Sequence, residues 1–446
     1  MHPEVGCAVR YTTEACGRAS NGSSSAVSCG GENAASRRIA SSGDTRRNMH
    51  RHGVGALGAS YVKRKRVLAV VRWPVGGIRT YLRYVYGRLD RERYDFTIVG
   101  PDLEEMQVLL DDLKDLHPRA VLTGGEGDMM AFTRIVAASI LRGKYDLIHS
   151  HGATAGMCSA VPAVLSRTPH VVTLHEVFNA DQFEGLKGGL RKAILSTGLP
   201  MADAVYSVAG HAQDNILGFF PKLRRQQDKL VTIRNGIDTR SFDSGDSRDF
   251  RAELELPADS FLVGFLGRFM SAKGFVYLID AMDELRRMPQ VSKMPVVLAF
   301  GGGGFIREDT AYLRRKGLAE YFHFLPFTPD VGPVLRGLDL VAMPSLWEAA
   351  SLLAMETLVA GVPLVASTCR GLEEIIKGTP ATPVSPRDAR GLAAAVAQRM
   401  MDPGKREARE YAKDARVRFD AGRTAQEVDE LFSRLIAEKP RVSWKL

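Results

Sequence analysis

Two cations in the C-terminal half of the chain have the types and spacing needed to bind a diphosphate. Arg268 follows the apolar run Phe261–Leu266, and Lys273 comes five residues later. An arginine contacts phosphate oxygens through a planar fork, and a lysine adds a point charge, so the pair is suited to neutralising a diphosphate. Taken alone, the pair is more simply explained as surface charge.

Two carboxylates lie further along, after a strand-like run that ends in Met-Pro-Ser. Glu348 and Glu356 are eight residues apart. If a helix begins near Ala350, Glu348 lies at its N-terminal end and Glu356 about two turns inside. The free amides at Ser351 and Leu352 then point at an anion. Carboxylates at this spacing are common by chance, but the order strand, Pro, Ser, Glu, helix, Gly-Val-Pro is far more specific.

Two glycine-rich segments follow strand-like runs. Gly76 and Gly77 come after the first run, and Gly301–Gly304 follow Val296–Phe300. Glycine lets the backbone approach a ligand closely and presents free N–H groups. The four consecutive glycines are equally compatible with a tight turn between a strand and a helix.

Short apolar, β-branched runs alternate with helical runs from residue 66 onward, which predicts how these residues are positioned. The first run is Arg66–Arg72, and the alternation starts again after Asp238. Repeated β-α-β units predict a parallel sheet with helices on both faces. We therefore predict an α/β protein with two Rossmann-like, doubly wound domains that face each other across a cleft. Ligands are expected at the carboxyl ends of the strands.

The chain is predicted to have four parts: a disordered basic leader at 1–65, a first domain at 66–239, a second domain at 240–423, and a C-terminal helix at 424–446 that packs back on the first domain. Residues 1–66 carry a net charge of +7, out of +9 for all 446 residues. They are rich in Ser, Gly and Ala and lack apolar periodicity, which is typical of disorder. Since the rest of the chain carries only +2, the composition does not indicate a nucleic-acid-binding protein.

The leader also contains a G-x-G-x-x-G pattern at Gly53–Gly58. A dinucleotide-binding site needs this pattern between a strand and a helix, whereas here it precedes the first strand. It is therefore not predicted to bind a cofactor.

Residues 66 to about 435 resemble the family-4 glycosyltransferases, which are retaining enzymes of the GT-B fold. One motif alone would be a weak signal, but the complete set in chain order is specific. The motifs are Gly76-Gly77-Ile78, Tyr145–Gly152, Val172–Glu176, Asn235–Asp238, Gly267-Arg268 with Lys273-Gly274, the pair Glu348 and Glu356, and Ala360–Ser367.

The resemblance implies a role for each matching residue. The second domain would bind a nucleotide sugar, with Arg268 and Lys273 on the diphosphate and Glu348 on the donor sugar. Glu356 would bind the ribose hydroxyls, and His175 would lie near the reactive carbon. Amides of the first domain at Gly76 and Gly77, and of the second at Ser351 and Leu352, complete the implied donor site.

The implied function is metal-independent hexosyl transfer, with retention of configuration, to a glycan or lipid-linked acceptor in polysaccharide, lipopolysaccharide or glycolipid synthesis. No cofactor is expected besides the nucleotide sugar, for which UDP is favoured over GDP. The pair His149 and His151 has no third ligand nearby and is not expected to bind a metal. Few cysteines and no long apolar run favour a cytoplasmic protein.

Two departures from the family pattern leave an alternative open. Ala349-Ala350-Ser351 stands where the family usually has Gly, an aromatic residue, then Gly or Pro, and Arg370-Gly371 stands where Gly-Gly is frequent. The alternative is a non-catalytic partner subunit that binds a nucleotide sugar.

A contact with the anionic inner face of a membrane is a further hypothesis. Phe219–Arg225 mixes aromatic and cationic residues, and Lys187, Arg191 and Lys192 lie upstream. A solvated helix and loop explain the same segment equally well.

Overall fold

The structure is a computed structural model that describes residues 63–125, 128–243 and 245–438. The predicted leader and its glycine pattern at 53–58 lie outside the described residues, apart from the last residues of the leader. The first strand begins at Lys65.

The N-terminal sheet has seven parallel strands in the order β3-β2-β1-β4-β5-β6-β7. These strands are Lys65–Val71, Tyr94–Pro101, Arg119–Thr123, Leu147–His151, His170–Leu174, Ala204–Ser207 and Leu230–Thr232, numbered β1 to β7 in chain order. Its helices, α1 to α6, are Gly76–Tyr86, Glu104–Asp112, Met129–Gly143, Ala153–Ser166, Gly185–Gly198 and Gly210–Phe219. The order reverses at β1 and β4, which places a topological switch point at their carboxyl ends.

Strand β1 shows why helices cover both faces of this sheet. Residues 67–71 are fully buried, and their side chains alternate between the two faces. Val67, Ala69 and Val71 pack with the apolar residues of α1 and α2. Leu68 and Val70 pack with those of α3 and α4 on the opposite face.

The C-terminal sheet repeats this plan with six parallel strands in the order β10-β9-β8-β11-β12-β13. These strands, β8 to β13, are Leu262–Leu266, Val296–Phe300, Phe322–Leu325, Leu340–Met343, Leu364–Ser367 and Thr382–Val384. The helices, α7 to α15, are Phe250–Glu253, Phe275–Leu285, Ile306–Lys316, Val331–Arg336, Leu352–Val359, Arg370–Ile376, Ala389–Met401, Lys405–Arg418 and Ala421–Glu438. The prediction of two Rossmann-like domains is therefore confirmed.

The last helix, α15, returns to the N-terminal sheet. Val428, Leu431 and Phe432 are buried in the same core as the inner residues of β1 and α1. The ring of Phe432 meets the ring of Tyr94 edge-on at a centroid distance of 5.9 Å. The C-terminal residues thus join the two sheets into one compact unit.

Part of the segment Phe219–Arg225, the hypothesised membrane contact, is buried. Phe220 and Leu223 are each only 1% exposed, because they pack in a core with Leu174 and Phe178. Their side chains are therefore not available to a lipid surface. In the described part of the chain, no helix combines the length and the apolar character that crossing a bilayer requires.

Candidate active site

Lys273 and Glu348 form an ion pair at the carboxyl edge of the C-terminal sheet. Lys273 follows β8 and Glu348 follows the neighbouring strand β11, so the sheet itself brings the two loops together. The Lys273 ammonium donates to Glu348 Oε1 at 2.7 Å. The hydroxyl of Ser345 donates to the same oxygen at 2.9 Å. The carboxylate side chain is only 10% exposed, so this pair is largely desolvated.

The other predicted cation, Arg268, is exposed on the same loop. The glycine-rich segment lies directly beside it. A Cβ added to Gly301 would lie 2.1 Å from the carbonyl oxygen of Gly267, and Gly301 has a φ of +140°. Only glycine permits this approach. The structure therefore places the glycine-rich turn next to the loop that carries the two cations.

Helix α11 begins at Leu352, two residues later than the start near Ala350 that the spacing suggested. Ser351 is the extended residue that precedes the helix, and it is buried. Glu356 consequently lies just over one turn into the helix rather than two. The free amides at the helix start belong to the first turn after Ser351, close in sequence to Glu348.

Glu356 is buried at the contact between the two halves of the molecule. Tyr84, on α1 of the N-terminal half, donates its hydroxyl to Glu356 Oε1 at 2.8 Å. The carboxyl residue is only 5% exposed. Burial raises the pKa of Glu356 to about 7, although the hydrogen bond from Tyr84 and the charge of Arg83 act in the opposite direction. Near neutral pH this group is therefore close to half protonated.

His175 lies on the N-terminal side, just after β5. Its Nε2 is 3.2 Å from Nδ1 of His151, and its ring packs edge-on against Tyr81 at 4.8 Å between centroids. Burial lowers its pKa to about 3, so the ring is neutral at physiological pH. Gly76 and Gly77 form the first turn of α1, with open space around both α-carbons.

A second polar bridge joins the two halves close to Glu348. His211, at the start of α6, places Nδ1 3.0 Å from Glu374 Oε2 and Nε2 3.2 Å from the carbonyl oxygen of Glu348. Both partners are acceptors, so the ring makes both hydrogen bonds only when each nitrogen carries a proton. Arg234 donates to Glu374 Oε1 at 2.9 Å. Burial alone would raise the pKa of Glu374, but the bonds from His211 and Arg234 lower it to about 2.

Three residues of this site were not predicted from the sequence: Tyr84, His211 and Glu374. No motif singles out Glu374, which lies in α12 after β12. His211 follows Gly210, the first residue of α6, shortly after the carboxyl end of β6, where a site residue is expected. Tyr84 carries no such signal, because an aromatic residue in an amphipathic helix is usually part of the core.

Two positions that depart from the family pattern lie at the contact between the two halves. Ala349 and Ala350 pack against the core of the N-terminal sheet. A Cβ on Gly371 would lie 2.1 Å from the carbonyl oxygen of Glu348, so helix α12 presses directly on the loop that carries this carboxylate. Ala349 and Ala350 therefore lie between the two halves, whereas Gly371 contacts the Glu348 loop within the C-terminal half.

Comparison with known proteins identifies two matching family models. The model described as "Glycosyltransferase Family 4" matches residues 75–241, and the one described as "Glycosyl transferases group 1" matches residues 260–402. The first covers nearly all of the N-terminal half after β1. The second begins just before β8 and contains Arg268, Lys273, Glu348 and Glu356.

Individual relatives are distant but extend over both halves. Alpha-maltose-1-phosphate synthase of Mycolicibacterium smegmatis is 26% identical over 342 residues, covering 71% of this chain and 84% of that protein. An uncharacterized glycosyltransferase of Methanocaldococcus jannaschii is 29% identical over 248 residues, covering 52% of this chain and 60% of that protein. The crystal structure of HepE of Anabaena in complex with UDP and glucose superposes with a TM-score of 0.70 at 22% identity. The superposition covers 83% of this chain and 100% of that one, so the two share a fold.

Proposed function

This chain belongs to glycosyltransferase family 4, and on that premise we propose that it is a retaining hexosyltransferase that uses a nucleoside diphosphate sugar. The proposed acceptor is a glycan or a lipid-linked sugar, as in polysaccharide, lipopolysaccharide or glycolipid synthesis. One observation carries the proposal. The ion pair of Lys273 with Glu348 brings a cation suited to a diphosphate and a carboxylate suited to a sugar to one edge of the sheet, beside Arg268.

The proposed chemistry begins with the leaving group. Breaking the bond between the anomeric carbon and the phosphate oxygen builds negative charge on the diphosphate and positive charge on the sugar. Arg268, Lys273 and the first amides of α11 stabilise the developing negative charge, as fixed donors do in a preorganised site. In this proposal the two cations take the place of a metal ion. The donor draws Lys273 onto phosphate, which frees Glu348 to accept hydrogen bonds from sugar hydroxyls.

Retention follows if the acceptor attacks from the face that the phosphate leaves. A bond forms between the acceptor oxygen and the anomeric carbon, while the bond between the anomeric carbon and the phosphate oxygen breaks. The proton of the acceptor hydroxyl passes to the departing phosphate oxygen. No covalent enzyme intermediate is needed. His175 is proposed to hydrogen-bond a sugar hydroxyl of the donor or to position the acceptor.

The proposed donor is a UDP-sugar. The neighbour HepE is described in complex with UDP and with UDP-glucose, and this supports uridine over guanosine. Glu356 is the proposed contact for the ribose. Because its Oε1 already accepts from Tyr84, the ribose hydroxyls would bind through Oε2.

A donor screen tests this proposal directly. Purified protein is incubated with UDP-, GDP- and ADP-sugars plus candidate acceptors, and release of nucleoside diphosphate is measured. A thermal shift identifies the donor, since a ligand at 100 times its Kd stabilises by about 2.7 kcal/mol. Lys273→Ala should reduce the thermal shift produced by the donor, whereas Lys293→Ala, an exposed lysine of the same half paired with Asp259, should not. Binding without turnover would favour the non-catalytic partner subunit instead.

A cytoplasmic location at an anionic membrane surface is the last part of the proposal, and helix α5 supports it. Leu186, Leu190 and Ile194 are spaced four residues apart and are 96%, 63% and 49% exposed. Lys187 and Arg191 lie on the same helix, which carries no acidic residue. An exposed apolar stripe flanked by cations is complementary to the surface of anionic lipids.

Liposome co-sedimentation tests the role of this helix. Binding to vesicles with anionic lipid is expected, with little binding to neutral vesicles. Leu190→Asp should weaken it at least tenfold. The matched control is Val417→Asp on α14, which introduces the same charge at a valine that is 82% exposed elsewhere. Equal sedimentation of the two variants would dismiss α5 as the contact.

A further inference from the structure

A continuous row of hydrogen-bonding side chains leads from the interior of the N-terminal sheet to His175. Its five members are Thr173, His149, Tyr86, His151 and His175. Nε2 of His149 is 2.6 Å from the Thr173 hydroxyl, and its Nδ1 is 2.7 Å from the Tyr86 hydroxyl. That same hydroxyl is 3.1 Å from His151 Nε2, and His151 Nδ1 is 3.2 Å from His175 Nε2. We call these five residues the histidine row.

The three imidazole rings of the histidine row are neutral, which limits each ring to one proton. Burial lowers the pKa of His149 and of His151 well below the ordinary value, and neighbouring histidines act in the same direction. The pKa of His175 is lowered to about 3 by burial. A neutral imidazole donates from one nitrogen and accepts at the other.

Since every contact needs one donor, only two arrangements satisfy the whole row. In the first, Tyr86 donates to His151 and His151 donates to His175, so all three rings carry their proton on Nδ1. In the second, His175 donates to His151, which donates to Tyr86. All three rings then carry their proton on Nε2. The Thr173 hydroxyl both donates and accepts, so it completes either arrangement.

Any mixed arrangement places two donors or two acceptors against each other. At buried positions such a defect costs much of the desolvation of the polar group. His149, His151 and Thr173 are all buried, so water does not repair a broken contact there. The rings therefore change tautomer together or not at all.

We propose that Tyr86, His149 and His151 are positioning residues that hold the three rings in one shared tautomer and so determine whether Nδ1 of His175 donates or accepts. Nε2 of His175 is engaged within the row, and no described residue hydrogen-bonds its Nδ1. This nitrogen is the one left for a substrate. The consequence for the substrate rests on the proposed function. A sugar hydroxyl at His175 meets either a hydrogen-bond donor or an acceptor, and residues that do not contact the sugar determine which.

The experiment reads the tautomers directly on the full-length protein. Labelling with ¹⁵N-histidine and recording long-range ¹H–¹⁵N spectra distinguishes an Nδ1 proton from an Nε2 proton, and single His→Gln variants assign the rings. The wild type should show the same tautomer for His149, His151 and His175. Different tautomers among these three rings in the wild-type protein would overturn the proposal.

Two tyrosine variants test the connection. Tyr86→Phe keeps the ring, which packs 5.0 Å from Phe96, and removes the central hydroxyl. Both tautomers of His175 should then be populated. Tyr81→Phe is the matched control, because its hydroxyl bonds Tyr206 outside the row while its ring touches His175. Its spectrum should keep the wild-type tautomer, and an unchanged His175 in Tyr86→Phe would contradict the inference.

A kinetic measurement separates this inference from the proposed function. With a donor that turns over, Tyr86→Phe should lower kcat at least tenfold with donor KM within a factor of two. A loss of folded protein would instead lower the fraction of active enzyme. The kcat calculated per active site would then stay the same as in wild type. Absence of turnover with every donor would refute the proposed function, while the tautomer result would stand by itself.

Discussion

Replacing Glu356 by glutamine should remove a large pH dependence from the stability of the folded chain. The carboxyl group is buried between α11 and Tyr84, where its pKa is raised to about 7 from an ordinary value of 4.5. Below pH 4.5 the group is protonated in both the folded and the unfolded state, so it does not make the free energy of unfolding depend on pH. Between these two values the unfolded chain ionises first and binds fewer protons, so stability falls as pH rises, and above pH 7 the loss is constant.

The size of this loss follows from the two pKa values. Each pKa unit corresponds to about 1.4 kcal/mol, so ionising Glu356 in the folded protein costs about 3 kcal/mol in full. Between pH 5 and pH 8 the contribution of Glu356 to the free energy of unfolding falls by about 2.5 kcal/mol. This is less than the full cost, because Glu356 of the unfolded chain is already mostly ionised at pH 5. Glutamine keeps the shape of the side chain and does not titrate.

Denaturant unfolding of wild type and Glu356→Gln at pH 5, 6, 7 and 8 measures the effect. The stability of the variant relative to wild type should rise by about 2.5 kcal/mol across this range. Glu373→Gln, an exposed carboxylate on α12, is the control and should show no such trend. Tyr84→Phe removes a hydrogen bond that lowers the Glu356 pKa, so its own stability should fall more steeply with pH than that of wild type. A constant difference between Glu356→Gln and wild type would refute the reasoning.

Three further outcomes are expected. Gly371→Ala should displace the Glu348 loop, because the new Cβ would lie 2.1 Å from the carbonyl oxygen of Glu348. The expected result is a lower Tm and a loss of turnover. Gly218→Ala, with open space around the new Cβ, should retain the wild-type Tm and turnover. Glu374→Gln should cost roughly 1–2 kcal/mol at pH 7, and since the Glu374 pKa is lowered to about 2, the cost should disappear in unfolding curves as pH falls from 4.5 through 2. Lys273→Ala should lower kcat by about 100-fold in a nucleoside diphosphate release assay, the magnitude typical of losing one charge-stabilising group; an unchanged kcat would remove this lysine from the mechanism.

The sequence predicted the architecture because its signals are local. Runs such as Val296–Phe300 and Leu340–Met343 coincide with strands, since fully buried parallel strands need continuous apolar, β-branched residues. The last strands of both sheets were not predicted. Leu230–Thr232 and Thr382–Val384 are three residues long and lie at sheet edges, where neither length nor burial leaves a clear pattern.

The residues of the candidate site likewise include some that the sequence predicted and some that it did not. The sequence predicted Arg268, Lys273, Glu348 and Glu356 because each stands at a fixed position after a strand or in the following helix. Tyr84 and His211 were not, because each becomes part of the site only through contact with the opposite half. Tyr84 reaches Glu356 across 272 positions of the chain, and His211 reaches Glu374 across 163.

By itself the sequence determined two parallel sheets, the loops at their carboxyl ends, and the family to which the chain belongs, since periodicity and motif spacing are properties of neighbouring residues. Only the tertiary structure decided what those side chains contact. It paired Lys273 with Glu348 and buried Glu356 under Tyr84. It also joined His149 to His151 through one tyrosine hydroxyl, and His151 to His175 directly. The physical reason is that desolvation and hydrogen bonding depend on groups distant in sequence, and these set the protonation of each residue in the site.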